Sequence, residues 1–117
     1  MKEERKEFIE SLKKRMLDYS VDVTNFVDGL PRSLSCQILA RQLLRSATSI
    51  VANFIEAQGA ASTKDFTNFL SISLKSASET LYWLSVFRKS HKGNQVLLKK
   101  LQKETFEFAN ILGSIVS

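Results

Sequence analysis

Four long stretches of apolar residues at helical spacing, separated by three short breaks, constrain this chain more than any other feature of its sequence. The first runs through Phe8, Leu12, Met16, Tyr19, Val23, Phe26 and Leu30, in alternating steps of four and three that line one face of a helix. "DGLPRS" then ends it. Pro31 disfavours helical geometry in Leu30, and Gly29 can take a left-handed cap. Ser33 or Ser35 can cap the next helix, expected from about residue 34 to 58. Its main stripe is Leu39, Leu43, Ala47, Ile50 and Phe54, with Leu44, Val51 and Ile55 beside it. After the turn in "QGAAST", Ser62 and Asp65 stand at capping-box spacing and open a third helix. Its expected seam is Phe66, Leu70, Leu74, Ala77, Leu81 and Leu84, flanked by Phe69, Ile72, Trp83 and Val86. "KSHKGNQ" breaks the pattern at Gly93 and Asn94, and a fourth helix carries Leu98, Leu101, Thr105, Phe108, Leu112 and Ile115.

Short connections make successive helices antiparallel, so the expected fold is all-α, an up-down-up-down four-helix bundle occupying residues 1–117 as one domain. Four glycines and one proline leave few turns for a β-sandwich or barrel. The apolar surface of the second and third helices is wider than one neighbour needs. Burial between two neighbours accounts for it, and so does contact with another subunit.

One cysteine, Cys36, offers no intramolecular disulfide and no metal-ligand spacing, which fits a cytoplasmic protein. The opening "MKEERKEF" is too acidic for a signal peptide, and no apolar run approaches the roughly 18 residues of a membrane helix. The first fifteen residues mix Lys and Arg with Glu and read as a solvated face laced with local ion pairs. Residues 88 to 103 differ. They hold Arg88, Lys89, Lys92, Lys99, Lys100 and Lys103 without an acid, more than the net charge of +5 for the whole chain. Such a cluster neutralises phosphates, or else simply keeps a surface solvated.

"RSATSIVANFIEAQGAASTKDFTNFL" sets Arg45, Ser46, Ser49, Asn53 and Glu56 into an apolar helix. Antiparallel packing brings Arg45 toward Glu79, where a guanidinium fork can satisfy a carboxylate in a half-buried site. Small Ser46, Ser49, Ser73 and Ser76 allow a close approach of the second and third helices. Arg45, Ser49, Asn53, Glu56 and Glu79 therefore read as a structural polar seam or a subunit contact. No catalytic residue, metal site or cofactor is expected: Glu56 and Glu79 lie several turns apart, the lone His91 falls in a connection, and Cys36 has no histidine placed beside it as a base.

"QLLRSATSIVANFIEA" followed by "KDFTNFLSISLKSASETLYWL" resembles the signature of the four-helix bundle proteins associated with intervening sequences in bacterial 23S ribosomal RNA genes. Leu43, Arg45, Ser46, Ser49, Ile50, Asn53 and Glu56 carry the likeness, then Phe66, Phe69, Leu70, Ser76 and Glu79. It covers about half the chain in residues and the outer helices by pattern. Ala57 and Lys75 depart from it, each standing where the family often has Gly, with a longer second helix and an altered helix contact as their expected effects. The resemblance implies a left-handed bundle that assembles into a ring, a pentamer favoured, and similarity to retroelement accessory proteins that use a basic ring surface for nucleic acid. The expectation is a non-enzymatic homo-oligomer that binds nucleic acid, RNA favoured, through the basic window, without a membrane partner. A protein-interaction scaffold or adaptor is the alternative.

Overall fold

In a computed structural model describing residues 2–117, four helices run α1 Lys2–Asp28, α2 Leu34–Gln58, α3 Thr63–Lys89 and α4 Gln95–Val116. They form an all-α bundle measuring 47 × 23 × 20 Å, somewhat longer than its longest helices. Each helix packs on two neighbours in the order α1, α2, α3, α4 and back to α1. The α2/α3 pair is the most extensive contact, and α1 is the least engaged. None of the helices is long and apolar enough to cross a membrane.

The caps explain where the helices start. Ser33 Oγ accepts from the Cys36 N–H (3.2 Å), Ser62 Oγ from the Asp65 N–H (3.1 Å), and Asn94 Oδ1 from the N–H groups of Val96 and Leu97 (3.0 and 3.1 Å). Asp65 adds its charge to the first turn of α3, where the helix dipole favours it. The left-handed residues are not where the sequence places one. Gly29 stays outside that region, whereas His91 (φ 54°) and Gly93 (φ 84°) take positive angles in the α3–α4 connection.

Met16, Tyr19, Val23 and Phe26 of α1 meet Leu43, Ala47, Ile50 and Phe54 of α2, Leu70, Ala77, Leu84 and Phe87 of α3, and Leu98, Leu101, Phe108 and Leu112 of α4 in one core. Phe26 and Phe87 pack edge to face at 5.5 Å. The expected seams need correction on all four helices: Leu30 lies past the end of α1, and in α2 Leu39 is only half-buried while Ala40 is buried. Phe8 is exposed, and Ile9 packs on the core in its stead. Ile115 is also exposed near the end of α4. In α3 the buried line is Leu70, Ser73, Ala77, Thr80, Leu84 and Phe87, so Phe66, Leu74 and Leu81 are only half-buried. Rotating α3 in this way turns two small hydroxyl residues, rather than two leucines, toward α2, which allows the close approach described below.

Of the two positions that depart from the resemblance, Ala57 is buried within α2 and Lys75 is exposed on α3.

Polar groups tie α1 to α4. Tyr19 Oη lies 2.6 Å from Thr105 Oγ1, and burial pushes its phenol well above its ordinary pKa. Arg15, the last of the fifteen mixed-charge residues, does not pair locally within α1. It instead reaches Glu104 through two hydrogen bonds of 2.9 and 2.7 Å, bonds Glu107 as well, and lies over the Phe108 ring at 5.0 Å. Its hydrogen bonds hold the Glu104 carboxyl below the usual carboxylate range. Only Lys13 and Glu10, at 3.5 Å, form a local ion pair of the expected kind among the described residues.

Candidate functional site

The polar seam is built where α2 and α3 approach. Ser46, Ser73 and Thr80 are fully buried, and every hydroxyl has a partner. Ser73 donates to the Ile50 carbonyl at 2.6 Å. Thr80 Oγ1 donates to the Ser76 carbonyl of its own helix at 2.7 Å and meets Ser46 Oγ at 2.8 Å, while Ser46 Oγ also lies 3.2 Å from the Leu43 carbonyl. Toward the surface, Ser49 and Ser76 meet at 2.9 Å, and Asn53 Nδ2 donates to Ser49 Oγ at 3.0 Å. These bonds replace the water that the hydroxyls lose, so the seam can be buried without an orphaned group.

At its outer rim Arg45 Nη2 bonds Glu79 Oε2 and also donates to Gln42 Oε1 at 3.0 Å. Trp83 Nε1 donates to the same carboxylate oxygen at 2.8 Å. The rim differs from expectation in two respects: a single guanidinium nitrogen makes the contact instead of a fork, and the Arg45 side chain is 57% exposed. Glu56 is exposed and joins no side-chain bond among the described residues. The Trp83 contact escaped the sequence reading, although the spacing from Glu79 to Trp83 is the one that makes helix neighbours. Because an exposed pair contributes about 1 kcal/mol at most, Arg45→Ala is expected to leave the melting of the isolated bundle almost unchanged. Native mass spectrometry of the same variant reads the other role: a smaller assembly locates a subunit contact at this rim.

The six basic residues resolve into two faces. Arg88 and Lys89 end α3, Lys92 lies in the connection, and Lys99, Lys100 and Lys103 are on α4. All are exposed. Lys100 turns toward α1 and meets Asp22 at 2.9 Å, a contact that raises its pKa. Lys99 and Lys103, one turn apart, have no ion-pair partner among the described residues, as is true of Lys89 and Lys92. Arg88 Nη1 donates to Gln102 Oε1 at 3.0 Å across the α3/α4 interface. Arg88, Lys89, His91, Gln102 and Ser85 line a shallow depression there, continuous through Ser85 and Lys89 with an apolar hollow bordered by Tyr82 and Val86. Such a surface presents mobile ammonium groups around a groove, the chemistry that binds phosphate. Sequence reasoning found the cations but missed Gln102 and Tyr82. No group of three or more metal-ligating side chains forms among the described residues.

The family model described as 23S rRNA-intervening sequence protein matches residues 10–114 of the chain. A solved structure from Bacteroides thetaiotaomicron, described as a protein with unknown function from the S23 ribosomal protein family, is similar at 33% identity and a TM-score of 0.82. The likeness covers 90% of this chain and 97% of that one. Among curated proteins no match is found.

Proposed function

Because the chain belongs to the 23S rRNA-intervening sequence protein family, we propose that it works as a non-enzymatic homo-oligomer, a pentameric ring favoured, that binds structured RNA in the cytoplasm through phosphate contacts. The observation that carries the RNA reading is the set of unpartnered cations on one end of the bundle: Lys89, Lys92, Lys99 and Lys103, beside an exposed Arg88. Assembly into a ring repeats this set around a common surface and multiplies its field. Support for assembly comes from apolar side chains left in water on outer faces, among them Leu17 and Val21 of α1 and Leu34 and Ile38 of α2.

Lys99→Glu with Lys103→Glu tests the reading, since neither side chain serves the fold. Titration of a labelled structured RNA across a salt series is expected to show affinity at least tenfold weaker than wild type. The slope of log affinity against log salt becomes shallower by about 2, one contact for each lysine, at unchanged oligomer mass. Retained affinity would remove this surface from the binding role. No binding by the wild type at low salt would overturn the RNA reading and leave a protein scaffold in first place.

A further inference from the structure

Two exposed aromatic rings stand on the helices that form the basic groove, Tyr82 on α3 and Phe106 on α4, and neither serves the core. Tyr82 is 60% exposed and Phe106 59% exposed. Tyr82, Ser85 and Lys89 follow one another at helical spacing along α3 and border the same hollow. On α4, Lys99, Lys103 and Phe106 climb one face in steps of four and three, and Phe106 lies one turn beyond Gln102, the residue that joins Arg88 across the groove. Tyr82 leans on Trp83 edge to face at 4.9 Å, which holds the ring while leaving it accessible.

Phosphate contacts alone require no aromatic group. Flat rings interleaved with lysines are instead the equipment that binds unpaired nucleotides, since every base has a face to stack while the cations follow the backbone. We propose that the α3/α4 groove takes unpaired nucleotides of RNA, as found in the loops and bulges of a structured molecule, with bases stacked on Tyr82 and Phe106 and phosphates at Lys89, Lys99 and Lys103. The inference rests on the RNA-binding reading and narrows it from phosphate in general to single-stranded segments. In a ring a second copy would meet this face with a different one of its own, and the oligomer mass of the variants below detects that occupant.

The test compares a short labelled single-stranded RNA with a duplex of the same length, using the full chain. Tyr82→Ala and Phe106→Ala are each expected to weaken single-strand binding about tenfold, while duplex binding changes less than about twofold. Tyr82→Phe and Phe106→Tyr keep a stacking face and should retain wild-type affinity. Native mass spectrometry and thermal melting of each variant accompany the titrations. Equal losses on both nucleic acids, no loss on either, or a changed oligomer mass in Phe106→Ala would each overturn the stacking site while leaving phosphate binding in place. Failure of the wild type to bind either RNA at low salt would overturn both readings together.

Discussion

Gly93→Ala is expected to lower the stability of the bundle by about 2 to 5 kcal/mol, more than a substitution at any other glycine. Two penalties fall on the same atom. The backbone at Gly93 has φ 84°, a left-handed conformation that costs an L-residue about 1–2 kcal/mol. A Cβ built there comes within 2.8 Å of Phe26 Cζ and 2.9 Å of Leu30 Cδ2. Phe26 cannot yield: it is 1% exposed, and its ring is set edge to face against buried Phe87. Overpacking of this kind adds about 1–3 kcal/mol. Gly113 supplies the control, because a Cβ at that helical position meets nothing within 4 Å, so Gly113→Ala should raise stability by up to about 1 kcal/mol. Urea melts of both variants at one fixed protein concentration decide the matter, since assembly makes the midpoint depend on concentration. A Gly93→Ala midpoint indistinguishable from wild type would show that the turn can move away from Phe26.

Gly93 also illustrates what the sequence could and could not reveal. As a break in the helical pattern it was plain, but its packing under Phe26 depends on how the bundle closes. Helix extents were legible because the apolar steps of three and four persist for many turns and are bounded by residues with a physical reason to bound them: Pro31 after α1, and Ser62 and Asn94 at the starts of α3 and α4. The rotation of α3 was less legible. Ser73 was legible as a small residue at the approach to α2, but Thr80 resembles a surface residue in isolation, and only its partner on α2, Ser46, reveals it as core. Leucines at 74 and 81 gave a stronger apolar signal and drew the expected seam aside.

The same reasoning separates the two charge clusters. The basic window was visible as composition, yet whether a lysine is free depends on a residue far away in the chain. Lys100 meets Asp22 and so differs from Lys99, its immediate neighbour in sequence. Arg15 looked like one more member of a solvated, mixed-charge helix, and its reach to Glu104 and Glu107 requires α1 and α4 to be adjacent. Arg45 and Glu79 were easier, because a single short turn fixes the register of α2 against α3 and leaves few partners level with Arg45.

Thr105→Val is expected to destabilise the bundle by about 1–3 kcal/mol, and adding Tyr19→Phe should then cost little or nothing further. The hydrogen-bond directions make the asymmetry. Thr105 Oγ1 donates to the Leu101 carbonyl at 2.7 Å, so the 2.6 Å contact with Tyr19 has the phenol as donor. Valine keeps the shape of threonine and removes the acceptor, which strands a phenolic hydroxyl on a side chain only 1% exposed. Tyr19→Phe alone removes the donor and leaves Thr105 bonded to its own helix, a loss of about 1 kcal/mol. The double variant has no stranded group, so its loss of stability should fall short of the sum of the single losses by about 1 kcal/mol or more. Denaturant titrations of the four proteins measure that coupling directly, and losses that add within about 0.5 kcal/mol would mean that the two hydroxyls do not act together. The stakes are greatest for α1, which has the least contact with its neighbours. Apolar side chains tolerate small sliding along a helix, whereas a buried donor and acceptor at 2.6 Å do not. The Tyr19–Thr105 bond and the Arg15 contacts with Glu104 therefore fix the register of α1 on α4, and with it the position of Asp22, which takes Lys100 out of the basic face.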